Sequence, residues 1–379
     1  MVKNLITFFF SKNALFFLGL ALNIIGLIYY LVFAKEFFWD FEVYSKAINS
    51  FNNGMQVYLT DDKYKFIYPP FFLYSISILG ASFQVTYLIF FMFSLILFFT
   101  EKLRNISFGI ILSSFVFFNG APPLLVGLAT GNISIILNLW LIFLFFKSFE
   151  SSFYETLFIV SVIIFSLIKF NFLIYSIALF IFTPNFKNFK FILIIIVMTL
   201  VFYLLEFIFM NDLFIEFIES LKHQTIYKDS YDMGHGFNNV LLQVLNNFML
   251  ANTLSLFLCF ALAMFVASKH LIFKDILGKE MYKYFVLILI LLLNPRLMIY
   301  DSLFIGGLTI SLFLYLNKFE KFKEPWLFLS IFLISSSSWF ISYSFDVLSI
   351  WNFPIACIFL PVSILLLKLS VLYTKIKFV

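Results

Sequence analysis

Apolar residues along this chain run in long blocks, and polar residues are confined to the intervals between them. Read as spans, the blocks fall at 13–34, within 66–100, and at 106–119, 131–146, 153–168, 170–183, 189–210, 252–268, 282–294, 302–316, 326–341 and 351–372. A helix of about 20 apolar residues covers the ~30 Å hydrocarbon core of a bilayer. The pattern predicts an all-α, multi-pass membrane protein of about 12 transmembrane helices. No soluble domain, repeat or low-complexity linker interrupts it, so residues 1–379 are expected to form one integral membrane domain. The first block exits through Phe33-Ala34-Lys35-Glu36 rather than a small-x-small cleavage site, so it is expected to stay as a helix.

The block at 66–100 is too long for one perpendicular span and short for two, with a polar break at residues 80–84. Charge decides between them. With one crossing there, plus an interfacial or tilted piece, both termini lie inside and 17 of the 25 basic residues fall on inner segments. Twelve of the 20 acids then lie outside, seven inside, and Glu206 within a span. Two crossings would invert every later loop and put most lysines outside, against the positive-inside bias. The outer segments are then 35–66, 119–131, the surroundings of Lys169, 211–250, 294–301 and 342–349.

Composition sharpens the class. The chain is 63% hydrophobic and 12% charged, with a mean hydropathy of +1.04, whereas soluble domains are about a quarter charged. The net charge of +5 follows the membrane asymmetry and is not a nucleic-acid footprint. Cys259 and Cys357 both lie inside apolar runs, which leaves no disulfide framework and no zinc spacing.

The longest polar interval, 39–70, is the first candidate for chemistry. It carries Asp40, Glu42, Tyr44 and Lys46, a glycine turn at Gly54, and closes on Tyr68-Pro69-Pro70. A connection between spans needs only a few residues, so this interval is expected to fold as an outer catalytic segment. Asp40 and Glu42, two apart, project from different faces of a helix and form no obvious metal pair. As a bland pair they are solvated acids at a membrane edge. Trp39 beside them is an interfacial anchor type, and it sets Asp40 at headgroup depth, where a carboxylate can accept a proton from an acceptor hydroxyl.

Elsewhere the candidates sit at span ends. Lys169, between two apolar spans, is either a snorkelling side chain or a functional cation. Asn132, after Gly131, puts an amide at the outer mouth of a span. Arg296 is the sole outer arginine; it either pairs with Asp301 or grips phosphate bidentately, with Tyr300 beside it. His235, bracketed by Gly234 and Gly236, is an outer candidate for acceptor or phosphate contact, or an incidental surface histidine. Asn246 and Asn247 are expected to continue an interfacial helix over 240–250. No phosphate-binding glycine loop, H-E-x-x-H or Ser/His/Asp set is present, so no nucleotide hydrolysis is expected.

Asp40-Phe41-Glu42-Val43-Tyr44, followed by Ala47, Gly54, Tyr58 and Tyr68-Pro69-Pro70, resembles the polyprenol-phosphate-mannose-dependent mannosyltransferase family of GT-C architecture. Gly131-Asn132 resembles that family's Gly-Gln-x-Asn span opening, Ile168-Lys169 its span-ending lysine, and Asn294-Pro295 its late Ser-Pro segment. Two departures stand out. Arg296, Tyr300 and Asp301 replace a late motif that often carries Trp and paired His, and 234–239 replaces an Asn-Gln-Ser loop.

The resemblance implies a polyprenyl-phosphate sugar donor, inverting transfer of a hexose such as mannose to a lipid or glycan acceptor, and a general base at Asp40. Glu42, Tyr44, Tyr68, Asn132, Lys169, His235, Arg296, Tyr300 and Asp301 are then the candidate substrate contacts. Neither cofactor nor metal is expected, and the expected setting is a bacterial plasma membrane with the active face outward. The competing classes are a polytopic transporter or flippase and a surface-polysaccharide polymerase or ligase. Transporters concentrate charge and broken helices at the midplane, whereas charge here gathers at the outer rim.

Overall fold

A computed structural model of the chain describes residues 39–58, 65–80, 82–83, 85–90, 131–227 and 247–294, with positions 21, 241, 242, 245, 304, 305, 307, 308, 311 and 312. The described residues are helical, with no strand among them.

The described parts of the first polar interval, 39–58 and 65–70, are folded. Helix α1 (Trp39–Asn52) carries Asp40 and Glu42 in its first turn and ends in a turn where Gly54 takes φ 66°. That left-handed conformation lets Met55 N–H close back on the Ser50 carbonyl at 2.8 Å. Helix α2 (Pro70–Leu79) begins with proline at its first position, where a missing N–H costs nothing, and stops at Gly80. Its ten residues span about 15 Å, half the hydrocarbon thickness. Helical structure is present again at 82–83 and over 85–90, so the break at Gly80 falls within the polar segment read as 80–84.

Between α1 and α2 lies an aromatic core. Tyr44 is buried and makes edge contacts to Phe66, Tyr68, Phe72 and Phe83 at centroid distances of 5.4–6.4 Å. Phe41 meets Tyr87 edge-on and Phe83 at a tilt. Such pairs are worth about 0.5–1.5 kcal/mol each beyond the area they bury, enough to hold a short polar segment in one shape.

The other described helices pack against one another: α3 (Ser134–Lys147), α4 (Ser152–Ile168), a 3-10 helix (Phe170–Ile177) running into α5 (Ala178–Phe182), α6 (Phe186–Phe209), α7 (Asn211–Tyr227), α8 (Phe248–Ser268), α9 (His270–Leu277) and α10 (Lys279–Leu292). Helix α4 is the hub, touching α2, α3, the 3-10 helix and α6. Ser151 caps it by accepting the Tyr154 N–H, and the extended backbone at Lys169 ends it.

Two described helices, α6 and α8, are long and apolar enough to cross a membrane, with 17% and 22% of their apolar windows buried in the protein. The buried positions of α6 are Asn188, Ile195, Thr199 and Glu206, a single narrow stripe. Val197, Leu200, Leu204 and Ile208 are all more than half exposed. A helix apolar all round but mostly uncovered by protein suits a lipid surround rather than a water-soluble core. The described fold fits a helical membrane protein.

Segments expected on the same side of the membrane meet one another in space. Segments read as inner converge at one end of the bundle: Lys187 bonds Glu155 at 2.5 Å, Lys283 lies over the Phe149 ring, and Lys274 over Phe182. Outer segments converge at the other end, as described below. One expectation fails. No single helix runs through 240–250, because Asn247 is extended and its side chain caps α8 by accepting the Leu250 N–H at 3.0 Å. Asparagine competes for backbone hydrogen bonds, so it starts this helix rather than continuing one.

Candidate functional site

Five of the residues singled out in the sequence come together: Asp40, Tyr44, Tyr68, Asn132 and Lys169. Gly131, at φ 65°, turns the chain sharply before α3, a conformation glycine adopts without strain. The turn places the buried Asn132 at the N-terminal mouth of α3. Its Nδ2 donates to Asp40 Oδ2 at 2.5 Å. Its Oδ1 accepts from Lys169 Nζ and from the Ser134 N–H, both at 3.0 Å.

Lys169 also donates to Ser134 Oγ at 2.6 Å and sits 4.9 Å from the centroid of the Tyr68 ring, close enough for a cation–π attraction. Tyr68 and Tyr44 join hydroxyl to hydroxyl at 2.7 Å, and the Tyr87 hydroxyl reaches the Asn132 carbonyl at 3.5 Å. Carboxylate and ammonium are thus held at opposite ends of one amide.

The chemistry open to this arrangement is definite. A half-buried carboxylate is an acceptor for a proton, and a half-buried ammonium balances growing negative charge. The Tyr44 phenol is pushed well above the ordinary tyrosine value by burial and by neighbouring Tyr68 and Asp40. It therefore stays protonated and serves as a hydrogen-bonding wall rather than a base. No group of three or more metal-binding side chains occurs among the described residues.

Glu42 is not part of the cluster. It projects from the opposite face of α1, 69% exposed at its side chain, and pairs with Lys46 at 3.3 Å. A surface pair of this kind contributes little. His235, Arg296, Tyr300 and Asp301 lie outside the described residues.

Several contributors went unremarked in the sequence. Ser134 follows Asn132 by two, and Tyr87 lies in an apolar run; neither spacing nor type distinguishes them. Glu206 stood out only as an acid within a span. It accepts the Phe71 N–H at 2.6 Å, capping the start of α2 where no side chain of α2's own does so. Set against family models, curated proteins and solved structures, the chain matches none.

Proposed function

We propose that this protein is an integral membrane glycosyltransferase that moves a hexose, mannose by the resemblance, from a polyprenyl-phosphate donor to a lipid or glycan acceptor at the outer face. The observation that carries this reading is the meeting of Asp40, Asn132 and Lys169. They come from three segments far apart in sequence and lie at the same end of the bundle, beside exposed apolar helix surface suited to a polyprenyl chain.

In this mechanism Asp40 takes the proton of the acceptor hydroxyl as its oxygen bonds to the anomeric carbon. The bond from that carbon to the phosphate oxygen breaks on the opposite face, its electron pair leaves with the polyprenyl phosphate, and the configuration inverts. General-base assistance of this kind is worth on the order of 10²–10⁴-fold. The Lys169 ammonium offsets charge gathering on the departing phosphate, typically the larger contribution in a site partly shielded from water. Asn132 holds base and cation apart, so that they do not collapse into a direct ion pair. The plasma-membrane setting and outward-facing site belong to the same proposal, as do about 12 spans and the GT-C arrangement.

The test is a transfer assay with the purified full-length chain in vesicles, given polyprenyl-phosphate mannose and a lipid extract. Release of polyprenyl phosphate coupled to an inverted glycoside is the expected result. A donor that stays intact with every extract tried overturns the reading.

A further inference from the structure

Four buried side-chain atoms among the described residues have no hydrogen-bond partner: Thr199 Oγ1, Glu206 Oε2, Glu216 Oε2 and Ser220 Oγ. Two of the four, on Glu206 and Glu216, belong to side chains close to Tyr58, and Ser220 follows Glu216 by one helical turn. The Tyr58 phenol is raised far above its ordinary value, first by burial and then by the nearby Glu206 and Glu216 carboxylates. Its ring lies 5.8 Å from that of Phe217, which brings the Glu216–Phe217–Ser220 face of α7 against it. Glu216 and Ser220 are four apart and share that face. Glu206 and Ser220 are 8% and 1% exposed.

Buried polar groups are paired in more than nine cases of ten. Unpartnered oxygens on Glu206, Glu216 and the neighbouring Ser220 therefore point to an occupant that supplies hydrogen-bond donors. The occupant's chemistry follows from the lining. Neither Glu206 nor Glu216 forms an ion pair with a described lysine or arginine, so among the described residues the lining offers acceptors for hydroxyls and no cation for a phosphate. Two carboxylates and a hydroxyl accept O–H groups, and charged acceptors bind them about twice as strongly as neutral ones. The Tyr58 and Phe217 rings offer apolar faces to the C–H side of a sugar.

Depth narrows the class further. Glu206 is the twenty-first residue of α6, about 30 Å along the helix from its start. That is the level of outer headgroups if α6 crosses the hydrocarbon.

We propose that this pocket seats the uncharged, hydroxylated headgroup of a glycolipid, and that this glycolipid is the acceptor; the second half rests on the transferase reading above. Tyr68 is the wall shared with the Asp40 cluster. Its carbonyl accepts the Tyr58 hydroxyl at 2.9 Å on one side, and its ring lies beneath Lys169 on the other.

The experiment measures binding without turnover. The full-length chain in detergent is titrated with a monohexosyl diacylglycerol and followed by native mass spectrometry, with methyl hexoside and glycerol 3-phosphate as soluble competitors. The wild type is expected to retain the glycolipid and to release it to methyl hexoside but not to glycerol 3-phosphate. Glu206→Gln with Glu216→Gln, which keeps an acceptor for the Phe71 N–H, is expected to weaken retention at least tenfold. Ser220→Ala, a change with little bearing on folding, is expected to weaken it about threefold.

Equal retention by wild type and both variants, or competition by glycerol 3-phosphate as strong as by the hexoside, overturns the pocket. Retention lost in the variants while no donor is ever consumed overturns the transferase reading and leaves the pocket standing.

Discussion

Two polar pockets flank Tyr68, and they are built on opposite plans. On the Lys169 side, each side-chain group of Asn132 is engaged, and a carboxylate and an ammonium are fixed at its two ends. On the Tyr58 side, two carboxylates and a serine hydroxyl are buried with oxygens unmatched by protein. A matched network holds its own geometry before substrate arrives, as a reacting centre requires. An unmatched one is complete only with its ligand, as a recognition pocket requires. On the proposed function, the first pocket carries the reaction and the second the selection.

The largest expected effect falls on the matched side. Asp40→Asn keeps shape and hydrogen bonding but removes the basic oxygen, and is expected to cut transfer by about 10²–10⁴-fold with donor binding intact. Glu42→Gln, on the exposed face of the same helix turn, is expected to stay near wild type. Equal losses in the two variants would break the division between the pockets.

Lys169→Ala comes next. Removing the ammonium is expected to lower both donor affinity and turnover by at least tenfold, with glycolipid retention unchanged. Lys169→Arg restores charge without the compact point geometry, and is expected to recover only part of the loss. A donor titration on the three proteins decides it.

On the unmatched side, Glu206→Ala leaves the Phe71 N–H without its acceptor. Leaving a buried donor unsatisfied costs about 1–3 kcal/mol, read as a lower unfolding midpoint in detergent, and Glu206→Gln should recover most of it. A midpoint unchanged in Glu206→Ala would detach α6 from the first segment.

The smallest effect is on alkaline stability. The folded Tyr44 and Tyr58 phenols both hold their protons more tightly than the ordinary 10.0 of a tyrosine. Their contribution is therefore complete below that value and declines as pH rises past it. The unfolding midpoint should fall between pH 10 and 11, and Tyr58→Phe should make the fall shallower. A midpoint that holds steady above pH 10 removes buried phenols from the account.

Much of the first pocket was legible in the sequence, and the reason is physical. Where nearly every residue is apolar, a carboxylate, an amide or a lysine at a span end is costly and so conspicuous. Asp40, Asn132 and Lys169 each stand out on that ground. Their partnership does not, because the bonds joining them cross 92 and 37 residues of chain, and no local period reports such contacts.

The second pocket was almost invisible. Ser220 is of a type common along helices, and Glu216 sits among the other acids of α7, so neither is conspicuous alone. Helix bounds were readable to a few residues in the bundle, where 153–168 and 189–210 became Ser152–Ile168 and Phe186–Phe209. They failed at Asn247, where side chain and backbone compete for the same hydrogen bonds.

The bond from the Phe71 N–H to Glu206 also sets a clock on assembly. The two residues lie 135 positions apart, and a ribosome adding about 5–20 residues per second needs roughly 7–27 s to make that length of chain. For that interval α2 has been synthesised but lacks the carboxylate that completes its first turn. During biogenesis the start of α2 is therefore expected to wait, latched only when α6 arrives. Truncated nascent chains ending before residue 206 should leave Phe71 open to protease, and chains extending well beyond it should not.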